Sequence, residues 1–152
     1  MELVYSLPDA IFELSEQDRA QRSKTSTDIC MLDESRMFLR AVLPLPVLGR
    51  DRPYRIGAWV EVSTEAFKQI HSLWDDPEQV SHSPFAATLA NDIYNCPGSI
   101  GQTVELRLTG PKTRPDIFLT ESDQMLCQQQ RNGISEHVAH QYSDRIPSQD
   151  AV

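Results

Sequence analysis

No apolar run in the 152-residue sequence approaches the roughly 18 residues that a membrane-crossing helix requires. The first fourteen residues carry Glu2, Asp9 and Glu13, with no basic stretch leading into an apolar one, so they do not read as a secretory leader. Cysteine is scarce. Cys30, Cys96 and Cys127 are odd in number, far apart and without a C-x-x-C pair, which suits free thiols in a reducing compartment rather than a disulfide framework. Positive charge is also in deficit: 14 basic residues face 22 acidic ones, for a formal net charge of −8. Nucleic acid and anionic membrane surfaces both call for a basic face, so neither is expected as the main partner. These absences lead to the expectation of a cytoplasmic location and of another protein as partner, a basic one being compatible with the charge.

Motifs are missing as well. No G-x-S-x-G, no phosphate-binding G-x-x-x-x-G-K-[ST] and no G-x-G-x-x-G occurs, which removes the usual support for hydrolase and nucleotide-binding readings. No cofactor is expected. The acidity forms no tail, since each half of the chain nets −4.

What is present is a chain of single-domain length, given that typical domains take about 100 to 200 residues. It is 39% hydrophobic, and its size lets it bury roughly two thirds of its unfolded surface without a disulfide or metal. Residues 1–146 are expected to form one domain, and 147–152, polar with nothing to pack, a frayed tail. Ser15 to Asp18 has the spacing of a helix-capping box. Residues 29–32 and 36–43 read as strands, with Pro44 and Pro46 ending the second. The clearest alternation runs from Tyr54 to Val62: Tyr54, Ile56, Ala58, Val60 and Val62 on one face, Arg55, Gly57, Trp59 and Glu61 on the other. Phe67, Ile70 and Trp74 then mark the core face of a helix, which Asp75-Asp76-Pro77 breaks. Phe85, Leu89 and Ile93 repeat every four residues and suggest a second helix. Val104, Leu106 and Leu108 alternate as a strand paired through a turn with 116–121, and helices are expected at 123–131 and 135–146. Strands grouped in the middle with helices around them give an α+β fold: a mostly antiparallel sheet of about five strands, one face covered by helices and the other partly wet.

Taken in order, the segments TDICMLD at 27–33, RPYRIGAWVEVS at 52–63, LWDD at 73–76, LAND at 89–92 and QRNGI at 130–134 resemble the bacterial family known as domain of unknown function 2199. The resemblance implies no activity. Many members resemble zinc-ribbon proteins in a leading C-x-x-C-G element that this sequence lacks, so a metal role tied to that element does not carry over. Gln124 and Gln129 stand where the family often has a histidine and an acid.

Several residues carry candidate chemistry. His137 and His140, at i and i+3 of a helix, place two imidazoles on one face, with His71, His82 or Glu136 as candidates for a further ligand; none has diagnostic spacing, so the pair reads first as surface residues. Cys96, in a turn, is the best placed thiol for nucleophilic work, and packing is the plainer reading. The carboxylates Asp75 and Asp76, and Asn91 with Asp92, suit an acid–base pocket; the plainer readings are a helix stop and backbone-bonding turn residues. Arg55, Trp59 and Glu61 on one strand face, extended by Arg107, have the composition of a binding patch, against the alternative that Trp59 is core. Two functions follow as expectations. One is a noncatalytic protein–protein interaction module, such as a small acidic protein that neutralises a toxin. The other is a small-ligand binder or enzyme with a carboxylate-lined pocket between sheet and helices.

Overall fold

The Tyr54–Val62 alternation is a strand, and the rest of the fold is arranged around it. A computed structural model describes residues 2–145; the expected tail at 147–152, and Ile146 at the end of the last expected helix, lie outside the described residues. The elements in chain order are α1 (Asp9–Phe12), α2 (Glu16–Arg22), β1 (Ser23–Thr25), β2 (Ile29–Leu32), β3 (Arg36–Leu45), β4 (Tyr54–Val62), α3 (Thr64–Leu73), a 3₁₀ turn (Pro77–Ser81), β5 (Phe85–Leu89), β6 (Thr103–Arg107), β7 (Asp116–Leu119), α4 (Met125–Asn132) and α5 (Glu136–Ser143). The chain is thus a mixed α+β structure. Three of the helices are capped by serine side chains that accept a backbone N–H three residues on: Ser15 from Asp18, Ser63 from Ala66 and Ser135 from Val138.

The strands pair antiparallel in sequence order, and a parallel pairing of β3 with β7 at Val42 and Asp116 closes β3 to β7 into a five-stranded mixed barrel. β1 and β2 extend it as an antiparallel flap. The expected open antiparallel sheet is therefore corrected in its topology. The physical reason lies in the burial pattern: Met37, Leu39, Ala41, Leu43 and Leu45 stand opposite Val62, Val60, Ala58, Ile56 and Tyr54, all of them buried. Opposed residues of an antiparallel pair share a face, and this face joins Leu89, Val104, Leu106, Ile117 and Leu119 in one cluster inside the barrel.

Two further expectations are corrected. Residues 85–89 form β5, not a helix, and 90–93 lie outside any helix. Spacing by four is shared by a helical stripe and by every second position of a strand, and Phe85, Ala87 and Leu89 are the buried members of that alternation. Pro44 lies inside β3 rather than ending it, opposite Arg55. The N–H groups of Arg40 and Val42 donate to Asp28 O and Pro115 O, both at 2.9 Å, so the even-numbered residues of β3 donate away from β4. The N–H that Pro44 lacks would point past the single β3–β7 register pair, where no ladder bond is required. There the Gln130 side chain takes over: its Nε2 donates to Pro44 O (3.1 Å) and Ile117 O (2.8 Å), and its Oε1 accepts Leu119 N–H (2.7 Å).

The other edge of β4 is completed by the N-terminal segment. Tyr5 N–H donates to Gly57 O (2.8 Å), and Gly57 N–H to Leu3 O (2.9 Å). The Val4 side chain lies 3.3 Å from where a Cβ on residue 57 would sit, a tight contact that a larger residue would relieve by shifting the exposed valine.

Candidate ligand pocket

α3 lies across the flap and barrel with Phe67, Ile70, His71 and Trp74 at i, i+3, i+4 and i+7, one helical stripe. Ile70 is buried, but Phe67 and Trp74 are only half-buried, because the stripe does not close fully onto the strands. The gap is a pocket of about 360 Å³, floored by Ile29 and Leu39 and rimmed by Ser26, Thr27, Asp28, His71 and Asp75. That volume falls at the lower end of small-molecule sites. Phe67 and His71 pack ring to ring at 5.9 Å.

The two carboxylates at the rim differ in their partners. Asp28 Oδ1 accepts from Arg114 Nε at 3.0 Å, whereas the Asp75 carboxylate takes no hydrogen bond or ion pair from any described residue. The end of α3 that presents Trp74 and Asp75 is held by a buried glutamine. Gln79 Nε2 donates to Leu73 O (2.7 Å) and Trp74 O (2.9 Å), while its Oε1 accepts Gly110 N–H (3.1 Å). Both carbonyls at the helix C-terminus also accept a backbone N–H, Leu73 O from Asp76 (2.9 Å) and Trp74 O from Lys112 (3.3 Å), so the side chain adds a second bond to each.

Of the candidate binding residues Arg55, Trp59, Glu61, Asp75, Asp76, Asn91, Asp92 and Arg107, only Asp75 reaches this pocket. Asp76 caps the 3₁₀ turn by accepting Glu78 N–H at 2.9 Å. Asn91 is wholly buried: its Oδ1 accepts Trp59 N–H (2.8 Å) and its Nδ2 donates to Leu7 O (2.8 Å) and Asp9 Oδ1 (3.0 Å). Asp92 Oδ1 accepts from Ser99 Oγ and Ile100 N, both at 3.3 Å. These are backbone-fastening roles, away from the pocket.

The patch on the second face of β4 is corrected by the position of Trp59. Its side chain is 0% exposed, Nε1 donates to Tyr5 O at 3.1 Å, and the Arg40 guanidinium lies 4.8 Å over its ring. The N-terminal segment covers it, so Arg55, Glu61 and Arg107 have no exposed aromatic between them. The Glu61 carboxylate accepts hydrogen bonds from Nε and Nη2 of Arg36 (2.9 and 2.8 Å), and Arg107 lies 4.5 Å over Phe118. Arg55 faces Asp116, whose carboxyl is pushed up by burial and pulled back by that charge.

His137 and His140 are exposed on α5, beside Gln141 and Glu136 respectively. Among the described residues no group of three or more histidines, cysteines or acids converges on a point where a metal ion would sit. All three cysteines are buried; burial pushes the Cys30 and Cys96 thiols up, opposite to what a nucleophile needs.

The sequence matches the model of a family of uncharacterised proteins conserved in bacteria, domain of unknown function 2199, over residues 2–134. The chain belongs to that family. Two of the segments through which it resembles the family, 27–33 and 73–76, supply Thr27, Asp28, Ile29, Trp74 and Asp75 to the pocket. No curated protein and no solved structure matches the chain. No helix among the described residues is long and apolar enough to cross a membrane.

Proposed function

We propose that this protein binds a small molecule in the pocket between α3 and the β2–β3 strands. The observation that carries the reading is the half-buried pair Phe67 and Trp74 on a helix stripe whose central member, Ile70, is fully packed. Aromatic side chains left open over apolar ground, with Ser26, Thr27, Asp28, His71 and Asp75 around them, have the composition of a ligand site: apolar walls with a few polar groups to orient the occupant. An interaction module built on the β4 face loses its aromatic anchor, because Trp59 is covered. The three unpaired thiols support placing the activity in the bacterial cytoplasm.

The test is a titration of isotope-labelled protein with a bacterial small-molecule extract, followed by amide and indole resonances. The expected perturbations centre on residues 26–29 and 67–75 and vanish in Trp74→Ala. Shifts that fall elsewhere, or persist unchanged in that variant, would remove the proposal.

A further inference from the structure

The chemistry around the pocket points to the class of its occupant, an inference that rests on the binding role proposed above. We infer that the ligand is an organic ammonium: a single positive charge carried on an apolar body. Phe67 and Trp74 line the pocket, and aromatic rings attract a cation placed over them through their quadrupoles, tryptophan most strongly. Apolar ground for the body of the ligand is supplied by Ile29, Leu39 and Ile70.

The ionisable groups at the rim are Asp28, His71 and Asp75, two acids and one imidazole. Asp28 already has Arg114 on one oxygen, whereas Asp75 has no protein partner among the described residues. A carboxylate without a counter-ion beside two half-open aromatic rings matches a ligand that brings its own cation. An anionic ligand would meet Asp75 with nothing among the lining residues that is permanently positive. The formal net charge of −8 adds a long-range field of the same preference, drawing cations toward the surface and repelling anions.

The experiment uses matched triplets of small probes that share a body and differ in charge: 2-phenylethylammonium, 2-phenylethanol and 3-phenylpropanoate, with cyclohexyl and n-butyl counterparts. Each is titrated onto the full chain while the indole N–H resonance of Trp74 is followed, with the covered Trp59 indole as internal reference. The ammonium member of at least one triplet is expected to bind ten-fold or more tighter than its alcohol, with the carboxylate weakest. Asp75→Asn should lower ammonium affinity about five-fold while leaving the alcohol unchanged, and Asp75 is exposed enough for that variant to fold normally. If an alcohol or carboxylate binds at Trp74 as tightly as its ammonium, or if Asp75→Asn leaves the preference intact, the charge assignment is overturned and the pocket remains a binding site. If no probe of any charge perturbs Trp74, both the charge assignment and the binding role fall.

Discussion

Gln79 holds Trp74 by its backbone: the buried amide Nε2 donates to Trp74 O at 2.9 Å and to Leu73 O at 2.7 Å. The same side chain accepts Gly110 N–H, so one residue fixes both the end of α3 and the loop behind it. Gln79→Leu keeps the volume and removes all three bonds; Leu73 O and Trp74 O retain the N–H groups of Asp76 and Lys112, while Gly110 N–H is left without a partner. A loss of about 1 to 3 kcal/mol is expected, measured as the shift in urea midpoint at constant slope. A loss below about 1 kcal/mol would show that water replaces the amide there.

The two tryptophans should respond unequally to truncation. Trp59→Ala empties a fully enclosed site and is expected to destabilise the fold by about 3 to 5 kcal/mol. Trp74→Ala removes a half-open ring and should lose about 1 to 2 kcal/mol on the same footing, with the principal effect on ligand binding. Equal losses of stability would mean that the pocket closes in solution and Trp74 is ordinary core.

Gln130 bridges β3 and β7 where their direct pairing stops. Gln130→Leu should destabilise by about 2 to 3 kcal/mol and speed amide hydrogen exchange at Leu119, whose N–H donates to Gln130. Unchanged protection at Leu119 would place the closure in the backbone pairing alone.

The folded protein should weaken in alkali. Burial raises Tyr5 to about 12 and moves Tyr142, Cys30 and Cys96 upward too. For each of these groups the unfolded chain loses its proton first, so between the unfolded and folded pKa values the native state holds more protons and stability falls as pH rises. The stabilisation is complete below about pH 8 and is lost progressively toward pH 12. Tyrosinate absorbance and circular dichroism followed together from pH 8 to 12 check this. Ionisation of Tyr5 and Tyr142 should coincide with loss of structure, and full tyrosine titration of a still folded protein would contradict it.

Strong alternation made β4 legible, and the capping box at Ser15 made the start of α2 legible, because in both cases the signal is local. Barrel closure was not legible: nothing in the residues around Val42 or Asp116 records that they will be neighbours. The pocket was half legible. The Phe67, Ile70 and Trp74 stripe correctly gives a helix face, but periodicity states which side faces inward and not how closely the opposing surface meets it. Asp75 was noticed for its charge and His71 only as a candidate further metal ligand, whereas Asp28 carried no signal apart from its neighbours in space. The fastening amides were the most concealed. Gln79 and Gln130 read as ordinary polar surface residues, since a glutamine that completes a strand edge or a helix end differs from an exposed one only in the backbone it reaches. Asn91 was recognised as a backbone binder from the propensity of its residue type, at an expected helix end, but its partner Trp59 lies on a strand far from it in sequence.

The β3–β7 contact also sets the order of assembly. The β3–β4 hairpin is joined through a short connection and can form as soon as both strands exist, whereas the parallel pairing of Val42 with Asp116 needs chain from both halves of the protein. Contacts of such long sequence separation delay folding, because loop entropy is lost before the contact is gained. β2 precedes β3 and pairs with its first half, so the part of that edge beyond Arg40 stays unpaired until β7 is available. Pro44, with no N–H to offer on that edge, keeps the waiting strand from recruiting a second chain.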